Sequence, residues 1–234
     1  MMKTWVLAMA MTVGLATLCG SKVAEAVQIG ALSTDCKASG FDRGHRAYQF
    51  VATCAGRAMS PDGRYAIVQR AYRDHQPPIE LQTAGGRVVA RLPELSDDMP
   101  FVVLWSPDSR RIAVNHHVGS FMDDLRLFEI VGNKVVPRSA LIVAAKHLAV
   151  QRFRCLSPGA VLPNAARWSA DGHRLMIVTV SSLYACSDTA KAGDWWPLWM
   201  IGDVRTGRID PASIRIDKAD GPLREPRDTL YRGF

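Results

Sequence analysis

From residue 47 onward the chain alternates short apolar runs with polar punctuation, and the runs are two to seven residues long. Such runs, rich in branched and aromatic residues and bounded by Gly, Pro, Asn and Asp, predict β-strands. The expected strands are 47–53, 58–59, 65–68, 79–82, 87–90, 101–105, 111–114, 125–130, 134–136, 166–168, 174–178, 197–201 and 208–209. The stretch Ala140 to Val150 is apolar but lacks strict alternation, and its pattern fits either a longer strand or a short helix.

One phrase organises these strands. Ser60-Pro61-Asp62-Gly63-Arg64, Ser106-Pro107-Asp108-Ser109-Arg110 and Ser169-Ala170-Asp171-Gly172-His173 each lie between apolar pairs. Serine and aspartate accept hydrogen bonds from the backbone two residues on, proline presets φ, and glycine allows φ above zero, so each phrase predicts the tight turn of a hairpin. Around each turn the same order recurs: strand, turn, strand, longer loop, strand, short turn, strand. Gly85-Gly86, Gly132-Asn133 and Thr206-Gly207 supply the second turn of each unit.

A repeated four-stranded unit is the sequence mark of a β-propeller, with blades at about 57–92, 100–138 and 165–210. The tryptophans of Trp105-Ser106-Pro107-Asp108 and Trp168-Ser169-Ala170-Asp171 occupy equivalent repeat positions and are expected to pack between blades. The phrase with its preceding aromatic resembles the repeat of TolB-like, WD40-like propellers of bacterial envelopes, over about Arg57 to Ile209. The resemblance implies an all-β, propeller-like fold in the cell envelope, and it implies no activity. Three blades are fewer than the four to eight that propellers typically have. The expected remedy is an incomplete fourth blade from 27–53 and 214–234, with Leu230-Tyr231 as a closing strand. An open fan and a ring completed by homo-oligomers are the alternatives.

The first 26 residues differ in kind. Lys3, the apolar run from Trp5 to Leu18 and the small-residue pattern Val23-Ala24-Glu25-Ala26 predict a secretory signal peptide, leaving 27–234 as one domain. The run is shorter than the ~20 residues of a membrane span. Leu18 before Cys19 is larger than the small residue expected before a lipidated cysteine. Periplasmic or secreted localisation follows, with no membrane span once the signal is removed.

Four cysteines remain, Cys36, Cys54, Cys155 and Cys186, and an even number in an oxidising compartment predicts two disulfides. Of the three connectivities, Cys36–Cys54 and Cys155–Cys186 are favoured. The first would tie a loosely patterned segment to the body, and the second would join two long loops beside the same blade. Losing Lys3, Lys22 and Glu25 with the signal lowers the formal charge from +7 to +6. The basic residues are scattered, with no run of five and no aromatic-basic RNA motif, so nucleic acid is not the expected partner.

Gly-x-Ser-x-Gly, His-Glu-x-x-His, the Walker loop and Gly-x-Gly-x-x-Gly are all absent from the sequence, which gives catalysis no positive support. Strand order places the Ser-x-Asp turns on one face of the blades and the long loops on the other. The candidate binding residues therefore lie among the long loops: Arg73 and His75, then His116, His117, Asp123 and Asp124 in a loop from Asn115 to Asp124, then Trp195 and Trp196. Histidines and carboxylates could hold a divalent metal, but neighbours in an extended chain point apart, so no metal and no cofactor is expected. The expectation is a disulfide-stabilised binding or scaffold module for a protein or envelope component. A periplasmic hydrolase or lyase, metal-assisted and using the same face, is the alternative.

Overall fold

Each of the three Ser-x-Asp phrases folds into the same hydrogen-bonded unit. The serine hydroxyl donates to the aspartate at 2.5–2.7 Å. It also accepts from the amide five residues on, at 2.8–3.0 Å. The aspartate accepts the amide two residues on, at 3.0–3.1 Å. Gly63 and Gly172 sit at φ +71°, and Ser109 takes the same left-handed place at φ +59°. These short-range bonds are why the turns could be read locally.

The computed structural model describes residues 36–43, 46–71, 78–92, 95, 99–119, 122–182, 195–216 and 224–234. The predicted signal peptide lies outside them. Fourteen strands in the described residues form three antiparallel sheets. The first is β3 (Gly56–Met59), β4 (Tyr65–Gln69), β5 (Glu80–Thr83) and β6 (Val88–Arg91). The second runs β1 (Gly40–Asp42), β2 (Ala47–Phe50), β7 (Phe101–Trp105), β8 (Arg111–Gly119), β9 (Met122–Val131) and β10 (Lys134–Pro137). The third is β11 (Pro163–Trp168), β12 (Arg174–Ser182), β13 (Trp195–Asp203) and β14 (Arg215–Ile216). The chain is all-β in class, as expected.

The second sheet is covered on both faces, which explains its unbroken apolar run at 101–105. Phe101, Val103, Trp105, Ile112, Val114, Phe128 and Ile130 pack with Ile67 and Leu81 of the first sheet. Leu104, Ala113, Leu125 and Leu127 pack instead with Ala165, Ile177, Leu198 and Met200 of the third. The two repeat tryptophans clamp these interfaces. Trp105 Nε1 donates to the Ala58 carbonyl at 3.2 Å, and Trp168 Nε1 donates to the Leu104 carbonyl at 3.0 Å. Acceptors two residues before Ser60 and Ser106 make the two clamps equivalent. The turns join as well: the Asp62 amide donates to Ser109 Oγ at 3.0 Å, and Arg111 donates to the Gly172 carbonyl at 3.1 Å.

Between the second and third sheets lies α1 (Ala140–Arg152), so the ambiguous apolar stretch is a helix. Leu141, Ala145 and Ala149, four residues apart, form its buried stripe. Gly202 on β13 lets the helix sit flush, since a Cβ there would lie 2.2 Å from Leu141 Cδ1.

The two ends depart from expectation. Strand β2 pairs with β7, Ala47 opposite Leu104 and Phe50 opposite Phe101, so the N-terminal segment extends the second sheet instead of starting a fourth. The Phe50 ring stacks on Phe101 at 4.5 Å between centroids, which fixes the register. At the other end Leu230 and Tyr231 lie in α2 (Thr229–Arg232), not in a closing strand. Asp228 caps it by accepting the Leu230 amide at 3.1 Å. Tyr231 is buried on the third sheet against Ala166, Met176, Val178, Trp199 and Ile201, and its hydroxyl donates to the Ser213 carbonyl. The fourth strand of the third sheet is Arg215–Ile216, whereas Ile209 makes only an isolated bridge to Gly202.

Cys36 and Cys54 form a disulfide across 18 residues. Cys155 is disulfide-bonded too, and Cys186, its expected partner, lies outside the described residues.

Candidate functional site

His116 and His117 belong to β8, and Asp123 and Asp124 to β9, so the expected loop from Asn115 to Asp124 is mostly hairpin. His116 lies opposite Asp124 and His117 opposite Asp123. Opposed residues of an antiparallel pair share a face, which makes two His/Asp pairs pointing apart. His117 Nδ1 is 2.8 Å from Asp123 Oδ1. Asp124 is held by Arg126 at 3.0 Å and by Lys146 of α1 at 3.3 Å.

Both histidines are buried, at 1% and 4% exposure, which corrects their placement in a long binding loop. Around the histidines, Asn115 and the Asp123 carbonyl take their partners from the neighbouring sheet. The Asn115 amide group donates to the Ala165 carbonyl at 2.8 Å and accepts the Ala165 amide at 2.7 Å, and Asn164 donates to the Asp123 carbonyl at 3.4 Å. The cluster thus ties the upper part of the hairpin to the third sheet. Among the described residues, no three His, Cys, Asp or Glu side chains gather as a metal-holding group.

The other candidates are not brought to this cluster by any described contact. Arg73 and His75 lie outside the described residues, as does the side chain of Trp195. Trp196 is half-buried on β13, opposite Ser181.

A second location was not visible in the sequence. Two cavities lie on the side of the Ser-x-Asp turns, sharing Arg43, Arg46, Trp105 and Pro107 in their walls. One, of about 430 Å³, is also lined by Phe41, Tyr48, Ala58, Met59, Pro61 and Val103. The other, of about 490 Å³, is also lined by Leu104, Arg167, Trp168, Ala170, Arg232 and Phe234. Together they form a groove to which every unit contributes the same positions. Met59, Trp105 and Trp168 precede the serines, and Pro61, Pro107 and Ala170 follow them. The usable sequence signal was this recurrence at fixed offset.

The groove's electrostatics are uneven. The turn carboxylates are already engaged. Burial alone would raise Asp62, but the Arg64 amide, the Ser60 hydroxyl and the Arg64 guanidinium outweigh it and bring the group to about 2. Asp171 is held below its ordinary value by the Ser169 hydroxyl and the His173 amide. Arg167 makes a two-pronged pair with Glu225 at 2.8 and 2.9 Å. Arg43 and Arg46, on the connection between β1 and β2, are exposed and make no ion pair or hydrogen bond among the described residues.

No family model matches the chain, and no curated protein sequence matches it. Among solved structures, one match is the crystal structure of the tricorn protease, at TM-score 0.32 and 12% identity, over 69% of this chain and 22% of that one. The chain therefore spans under a quarter of that protein's length.

Proposed function

We propose that the chain is an exported, propeller-like binding or scaffold protein of the periplasm or cell exterior, of the TolB-like repeat type, and that its partner docks in the turn-side groove. The observation that carries this reading is the groove itself: two cavities of about 430 and 490 Å³ lined by the same repeat positions from all three sheets. Concave, mostly apolar recesses of about 300–1,000 Å³ are the usual form of a small-molecule site, and recesses of this size can seat individual side chains of a docking partner. The disulfide and the signal-like N-terminus support export. The buried His/Asp pairs, locked to α1 and to the third sheet, act as structure in this reading rather than as a hydrolytic centre.

The test is retention of envelope components on the immobilised mature, oxidised protein. Retention is expected to fall when Met59, which is 44% exposed in the groove, becomes alanine. It should be unchanged for Val88→Ala, a comparably exposed residue on β6 that does not line either cavity. Equal retention by both variants would overturn the assignment to the groove.

A further inference from the structure

The two lobes of the groove are chemically unlike. The 430 Å³ lobe is walled mainly by Phe41, Tyr48, Met59, Val103 and Trp105, with Phe41 60% and Met59 44% exposed. The 490 Å³ lobe is lined by four arginines, Arg43, Arg46, Arg167 and Arg232. Only Arg167 has a carboxylate partner among the described residues, Glu225, while Arg232 donates to the Arg227 carbonyl. The groove thus presents uncompensated positive charge beside an apolar recess, with Arg43 and Arg46 at the boundary of both lobes.

Guanidinium groups favour planar carboxylates, and a recess lined by exposed aromatic and thioether side chains favours an apolar side chain. An extended peptide offers both, because alternate side chains project to opposite sides. A polyanionic glycan has no apolar side chain for the Phe41–Met59 lobe. We infer that the groove takes an acidic peptide segment of a partner protein, with carboxylates on Arg43, Arg46 and Arg232 and one aromatic or aliphatic side chain between Phe41 and Met59. This rests on the groove-binding reading above and names the ligand class for it.

The experiment is fluorescence anisotropy with the mature, oxidised protein and a labelled eight-residue peptide alternating Glu with Phe. Saturable binding is expected, falling about tenfold when Phe is replaced by Ser, and about tenfold for R43Q/R46Q. Both arginines are exposed, so the double variant should keep the wild-type unfolding midpoint. A sulfated polysaccharide, or vesicles rich in phosphatidylglycerol, binding as tightly as the peptide would overturn the peptide assignment in favour of a general polyanion or a membrane surface. If the peptide fails while retention of envelope components still depends on Met59, the ligand class alone falls. If both fail, the groove reading falls with it.

Discussion

Adding one methyl group at Gly202 probes the packing of α1 on the third sheet, the contact that sequence pattern left undecided. A Cβ at this position would lie 2.2 Å from Leu141 Cδ1, 3.1 Å from Cδ2 and 3.2 Å from Cγ. Carbon pairs are at their best near 3.5–4.0 Å, so relief needs a shift of about 1.5 Å. Leu141 is 1% exposed in the core shared with Ile177, Leu198 and Met200, and has little room to turn away. Gly202→Ala should therefore cost about 2–3 kcal/mol, the upper part of the overpacking range. Leu141→Ala alone should cost about 2–5 kcal/mol by leaving a cavity. In the double variant the new methyl enters the space the leucine vacates, so the two costs should fall short of their sum by at least about 1 kcal/mol. Urea unfolding with the disulfides intact measures this, with m-values compared to confirm one transition. Strictly additive costs would refute the direct contact and with it the placement of the helix.

Other outcomes follow from the turns and clamps. Because the folded Asp62 and Asp171 carboxyls lie below their ordinary value of 3.8, the stability they contribute is present above that value and is lost as pH falls through the folded values, about 2 for Asp62; Asp62→Asn with Asp171→Asn should flatten the acid limb of a stability–pH curve, and parallel limbs would contradict the bonding described. Trp168→Phe removes the 3.0 Å bond to the buried Leu104 carbonyl and should cost about 1–3 kcal/mol in chemical unfolding, whereas Met59→Ala at the equivalent but exposed position should cost under about 0.5 kcal/mol. Replacing Cys36 and Cys54 by serine opens the 18-residue loop and should lower stability by about 3 kcal/mol, read as a fall in the urea midpoint; no change would mean the N-terminal hairpin is held by its pairing to β7 alone.

What the sequence disclosed tracks how local the determining interactions are. The three turns close within five residues through Ser60, Ser106 and Ser169, and all three were legible with their strands. The pairing of β2 with β7 joins residues about fifty positions apart, and nothing between Ala47 and Phe50 names Phe101 as its neighbour. Leu230-Tyr231 resembles a strand fragment until Asp228 is seen to cap a helical turn. Helix α1 was ambiguous because two of its three buried positions, Ala145 and Ala149, are alanines, which give a weak apolar stripe. His116 and His117 read as a polar loop because the residues opposite them, Asp124 and Asp123, come from another strand. The groove is assembled from all three turns, the β1–β2 connection and the C-terminal segment, so no single stretch of sequence announces it.

Site-specific photo-cross-linking in the intact envelope addresses the groove most directly. A photoreactive residue would replace Met59 or Pro107 in the groove, and Val88 or Val143 on exposed surface outside it. The account predicts a discrete cross-linked product from positions 59 and 107, diminished in the R43Q/R46Q background and absent from 88 and 143. Products of equal yield from all four positions, or from 88 and 143 alone, would contradict it.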